Sequence, residues 1–142
     1  MIKNLIEYFQ PEQEFYLQNI SYNRLEKNEQ EKHTLNCFDN IQVDKSENEV
    51  RITVTRSLKF DPEELFSLNV SFGAVLKFVL ERKNEYDWNK INLAEEFKNN
   101  GEFVTGNLMS RISLLIAQIT SSFGQQPIVL PPSVAQESVD EE

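Results

Sequence analysis

The sequence predicts an α+β domain: a four-stranded antiparallel sheet, in meander or Greek-key-like order, with a short and a long α-helix packed on one face. Three observations carry this. Strand-like runs fill the chain up to about residue 80, and two of them alternate apolar and polar residues with period two. Helical periodicity appears only afterwards. The breaks between the strand-like runs are short and polar, which suits strands paired in one sheet.

Residues 1–14 read as an N-terminal arm with Leu5, Ile6, Tyr8 and Phe9 apolar, and Pro11 should end any helix there. The first strand is expected over Tyr16–Leu25, followed by the polar loop EKNEQEKH. The second, Thr34–Asp44, places Leu35, Cys37, Ile41 and Val43 in one phase. The third is the clearest: Val50, Ile52, Val54, Leu58 and Phe60 alternate with Arg51, Thr53, Thr55, Ser57 and Lys59. Asp61-Pro62-Glu63-Glu64 then reads as a hairpin tip, because Pro presets φ and Asp bonds the backbone ahead. The fourth run, Leu65–Leu80, sets Phe66, Leu68, Val70, Phe72, Ala74, Leu76 and Phe78 on one face. Its other face starts polar (Ser67, Asn69, Ser71) and turns apolar at Val75 and Val79, which implies cover on both sides at that end.

Asn92 with Glu95 three residues on resembles a capping box, so a short helix is expected over Leu93–Asn100, closed by Gly101. From Asn107 to Phe123, apolar Leu108, Ile112, Leu115, Ile116, Ile119 and Phe123 recur every three or four residues, giving a long amphipathic helix stopped at Gly124. Ile128–Val134 contains two prolines and should be an extended covering strap. Residues 135–142 form an acidic tail expected to be disordered, leaving one domain over 15–134.

Composition narrows the function. With 14 Lys plus Arg against 23 Asp plus Glu, the formal charge of -9 opposes binding to nucleic acid and to anionic membranes. No apolar run approaches the ~20 residues of a bilayer span, and the first residues lack a signal-peptide pattern, so a cytoplasmic protein is expected. One cysteine and one histidine cannot build a Cys/His zinc site, and no metal or cofactor is expected. His33 lies in a polar run and reads as a solvated loop residue, while Cys37 reads as a small buried hydrophobe. The four glycines are too scattered for a phosphate-binding loop. Catalysis is not expected.

The order of elements resembles SecB, the tetrameric export chaperone of the bacterial cytosol. FYLQNISYN, RITVTRSLKF and LFSLNVSFGAVLKF are similar to its first, third and fourth strands. The segment from EEFKNNGEF through SRISLLIAQITSSFG to PIVLPPSV is similar to its short helix, break, long helix and hydrophobic-Pro segment. The resemblance covers roughly residues 15–134. It implies a homodimer or homotetramer that holds unfolded polypeptides in hydrophobic grooves without ATP. Tyr22, Phe38, Val75 and Val79 are the groove candidates it leaves, and Met109, Leu114 and Ala117, beside the main helix stripe, are the oligomer-interface candidates.

Two departures from the resemblance matter. SecB proteins continue into a further C-terminal helix where this chain has its short acidic tail. The family's docking surface for the export motor SecA is acidic, whereas the matching positions here are Asn19, Asn23 and Asn69. The resemblance therefore implies a SecB-like chaperone whose coupling to SecA is weakened. The alternative is a SecB-fold adaptor for one specific partner, for example a component of a toxin–antitoxin pair.

Overall fold

The computed structural model describes residues 2–26, 34–61, 65–122 and 127–133. Several expectations lie outside those residues: His33, the hairpin tip at Pro62–Glu64, Phe123 and the stop at Gly124, Val134 and the acidic tail.

Four strands, β1 (Phe9–Arg24), β2 (Thr34–Lys45), β3 (Glu49–Asp61) and β4 (Phe66–Phe78), form one antiparallel sheet in the order β1-β4-β3-β2. β2, β3 and β4 make a meander, and β1 lies beside β4 rather than beside β2. That is the Greek-key order, not a strict meander. It leaves β1 and β2 as the two edge strands.

β1 begins at Phe9, seven residues before the expected Tyr16, and it contains Pro11. Proline is tolerated there because the strand is at an edge and the β1–β4 register slips between Phe9 and Gln13. Before it, Leu5–Tyr8 form a 3-10 turn, and Ile2, Leu5, Tyr8 and Phe9 all belong to the hydrophobic core. β4 stops at Phe78, short of the expected Leu80, because the Val79 N–H turns to the Tyr8 carbonyl (2.9 Å). A short helix α1 (Leu80–Lys83) and a 3-10 turn at Trp88–Lys90 follow.

α2 covers Leu93–Asn100, as expected, with the Asn92 side chain accepting the Glu95 N–H at 3.2 Å. Gly101 ends α2 by donating to the Phe97 carbonyl and starts the next helix by accepting from Val104 and Thr105. A β-carbon at Gly101 would run into that Phe97 carbonyl oxygen, so only glycine fits this double cap. The long helix α3 consequently begins at Glu102, five residues before the expected Asn107, and runs to Ser121.

α3 packs on β4 and β3 and against α2. Between them lie Val50, Ile52, Val54, Leu58, Leu68, Val70, Ala74 and Leu76 of the sheet and Val104, Leu108, Met109, Ile112 and Ile116 of α3, all fully buried. At one end an aromatic cluster of Tyr8, Phe9, Phe78, Trp88, Phe97 and Phe103 ties the first residues to α2, with ring centroids 5.0 to 6.4 Å apart. Residues 127–133 carry no regular secondary structure and bend at 132–133, and Ile128 and Leu130 pack on the core, as a covering strap would.

Candidate functional site

The sheet has one face under the helices and one open face, and antiparallel register assigns each side chain to one of them. On the helix-bearing face, edge strand β1 carries Leu17, Ile20 and Tyr22, which stay 50%, 42% and 40% exposed. They oppose Phe72, Val70 and Leu68, so they form one apolar stripe beside the buried core. The spacing from 17 to 20 breaks strand periodicity. The register slips by one residue between Leu17 and Asn19, so the bulge at Gln18 returns Ile20 and Tyr22 to the face that Phe15 and Leu17 occupy. Sequence reasoning missed Leu17 and Ile20 for that reason. The signal was present as two apolar pairs, Phe15–Leu17 and Ile20–Tyr22, in opposite phase.

The four groove candidates do not come together. Tyr22 ends the stripe and sits 5.9 Å from the Phe66 ring. Phe38, 54% exposed, opposes Ser57 on the open face. Val75 is also on the open face but is 8% exposed, between Glu14 and Arg51. Val79 lies past the end of β4, half-buried. Among the described residues of the sheet, Leu17, Ile20 and Tyr22 form a contiguous exposed apolar stripe, and only the last of these is among the residues expected.

The open face is polar. Asn19, Asn23 and Asn69 are brought together on it: Asn69 opposes Ser21, the residue midway between Asn19 and Asn23. Around them stand Ser57, Ser67, Thr55 and Ser71, the last two sharing a hydrogen bond of 2.7 Å. Tyr16 lies across Gly73 on this face, where a β-carbon would meet its ring, and Arg51 stacks 5.8 Å from the ring centre.

Of the interface candidates, Met109 must be withdrawn: it is fully buried in the chain's own core and has no surface to offer another chain. Leu114 is 62% exposed on the outer side of α3, and Ala117 is half-buried one turn along.

The strap is fixed by a buried ion pair that interrupts two apolar strand phases. Arg56 of β3, 1% exposed, opposes Asp39 of β2 on the helix-bearing face. Its guanidinium donates from Nε and one terminal nitrogen to the two Asp39 carboxylate oxygens, both at 2.8 Å. The remaining N–H groups reach the Pro131 carbonyl (2.9 Å), the Ser133 carbonyl (3.0 Å) and Ser113 Oγ of α3 (3.3 Å). Every donor direction of the fork is thus engaged. Burial acts against the Arg56 cation, but hydrogen bonding and attraction from Asp39 outweigh it and raise its pKa above the usual value. Burial likewise pushes the neighbouring Cys37 thiol up, keeping it protonated and unreactive. At the strap's other end the Ile128 N–H donates to Thr120 Oγ1 at 2.8 Å. Arg56 and Asp39 were legible as charges standing in apolar phases, opposite each other once β2 and β3 are paired.

Among the described residues no three His, Cys, Asp or Glu side chains are grouped to hold a metal ion, and no helix is long and apolar enough to cross a membrane.

This architecture, a four-stranded antiparallel sheet in Greek-key order with a long helix across one face, is the SecB-like fold. The chain superposes on a SecB-like chaperone of Mycobacterium tuberculosis, solved in complex with a ChAD peptide from the HigA1 antitoxin, with a TM-score of 0.68. The match covers 89% of this chain and 88% of that one, at 15% sequence identity. No family model matches the chain, and no curated protein matches it in sequence.

Proposed function

We propose that this chain is a divergent SecB-like chaperone that holds unfolded or export-competent polypeptides without ATP and without catalysis. The observation that carries the reading is the Leu17–Ile20–Tyr22 stripe, apolar surface left uncovered on an edge strand of a SecB-like fold. An extended client laid along β1 meets the outer backbone side of an edge strand and apolar side chains on the face, which is how strand addition combines affinity with tolerance of sequence. Covering the exposed halves of three such side chains is worth about 1 kcal/mol each, a weak and reversible grip suited to holding. The protein works in the bacterial cytosol as a homodimer or homotetramer. Its test is aggregation: the purified protein slows aggregation of several unrelated denatured clients, and failure with all of them removes the holdase reading.

A second reading is a SecB-fold adaptor for one dedicated partner. The similar mycobacterial structure holds an antitoxin peptide, and the neutral Asn19, Asn23 and Asn69 here offer little to a basic SecA segment, so both favour a role uncoupled from secretion. Protection of one client only, among many tried, selects this reading.

A further inference from the structure

At the end of the sheet where β1 finishes and β4 begins, a cavity of about 350 Å³ is lined by Asn23, Arg24, Leu25, Lys59, Phe60, Phe66 and Ser67. Its size is at the small end of ligand pockets, roughly 300–1,000 Å³, so it admits one or two side chains and not a folded element. Two features define its chemistry. Phe60 and Phe66 meet edge to face, 5.4 Å between centres, and supply an aromatic wall. Arg24 and Lys59 supply two positive charges, and among the described residues neither is paired with a carboxylate. The cavity is also continuous with the stripe, since Phe66 contacts Tyr22.

We propose that this cavity selects, from an extended peptide lying on the stripe, a segment in which a carboxylate stands beside a large apolar side chain. The proposal rests on reading the stripe as a peptide surface. The apolar side chain meets Phe60 and Phe66 and the carboxylate meets Arg24, which share the stripe's face, while Lys59, with Asn23 and Ser67, lines the cavity from the open face and adds its charge there. The chain's charge of -9 disfavours acidic partners generally. Screening over roughly 8 Å at physiological ionic strength lets two local cations reverse that preference at this one place. The result is a chaperone surface that favours acidic over basic apolar segments.

Fluorescein-labelled decapeptides of identical Phe and Leu content, carrying Glu, Gln or Lys at the remaining positions, test this by anisotropy. The Glu peptide should bind the full chain roughly five- to tenfold more tightly than the Gln peptide, with the Lys peptide weakest. That advantage should shrink in half-molar salt and vanish in Arg24→Gln/Lys59→Gln, both exposed positions whose change leaves the core intact. Equal binding of all three peptides overturns the acid preference while the client surface stands. An advantage that persists in the double variant places the selection elsewhere and overturns the cavity. Loss of all peptide binding with aggregation still suppressed also overturns the cavity alone. Loss of both overturns the cavity and the chaperone reading together.

Discussion

Asp39 and Arg56 face each other across β2 and β3 beneath α3 and the strap, two full charges at a place where their strands otherwise present apolar side chains. Desolvating both ions costs several kcal/mol, which geometry this complete can offset only while every donor is used. The pair is better understood as a peg for the strap than as a source of stability. Asp39→Asn or Arg56→Ala should destabilise the protein by about 3–5 kcal/mol in urea unfolding, because each leaves a buried charge or an empty cleft. Asp39→Val with Arg56→Leu should recover most of that loss. The double variant should nevertheless free the strap, read as faster hydrogen exchange at the Ile128 amide. Unchanged exchange there would show that Thr120 alone holds the strap.

The fold was legible where one period governs an element. β3, β4 and α2 follow from alternation and an Asn cap, and their bounds match within a residue or two. Legibility failed where tertiary contacts reset the phase. The Gln18 bulge hides two of the three residues of the exposed stripe, Pro11 hides the start of β1, and Gly101 hides the start of α3 by serving two helices at once. Strand order was open because pairing of β1 with β4 depends on non-local contacts that no local window encodes. The open-face asparagines were singled out only through the SecB resemblance; the register brings them together because Asn69 opposes Ser21, between Asn19 and Asn23.

The cluster at the other end of the sheet predicts pH dependence in both directions. Tyr8 Oη donates to Glu85 at 2.9 Å, and Arg82 lies 4.4 Å above the Tyr8 ring while bonding Glu7 and Glu85. Burial first, then the bond to Glu85, raises the Tyr8 pKa to about 12. A raised pKa means its stabilising effect is full below the usual tyrosine value of about 10 and is lost as pH climbs towards 12. Hydrogen bonds from Arg82 hold the Glu7 and Glu85 carboxyls below their usual range. Their contribution is present above the normal glutamate pKa and fades as pH falls through the depressed values. Ultraviolet titration should show a tyrosine step near pH 12, and Tyr8→Phe should remove that step.

For the proposed oligomer, Leu114 predicts where chains would meet. It is the large apolar side chain that α3 leaves 62% exposed, while Leu108, Ile112 and Ile116 on the same helix are fully buried. Leu114→Glu should lower the mass seen by light scattering to that of a smaller assembly. Far-ultraviolet circular dichroism should stay unchanged, since no core contact is lost. An unchanged mass would put the interface on another surface.

The neutral asparagine patch on the open face predicts weak or undetectable binding of a basic, zinc-bearing SecA tail peptide. Changing Asn19, Asn23 and Asn69 together to Asp sets three carboxylates on one patch, with Asn69 diagonal to the other two. Exposed charges of this kind contribute roughly 0.2–1 kcal/mol each, so the triple variant should gain about tenfold in affinity at low salt and lose it at high salt. Tight binding by the unaltered chain would mean that another surface does the docking.

The stripe itself gives the most direct test of how clients are held. Leu17 and Ile20 are half exposed on an edge strand, so Leu17→Ser and Ile20→Ser remove apolar surface without opening a core cavity. Each should cost less than about 1 kcal/mol of stability, since the side chains are already partly hydrated in the folded state. If clients lie along β1, the double variant should bind unfolded polypeptide roughly tenfold more weakly and lose most of its suppression of aggregation. Phe38→Ser serves as the control, because it removes an equally exposed aromatic from the opposite face. Loss of binding in Phe38→Ser with retention in the double variant would move the client surface to the open face, where the asparagines are.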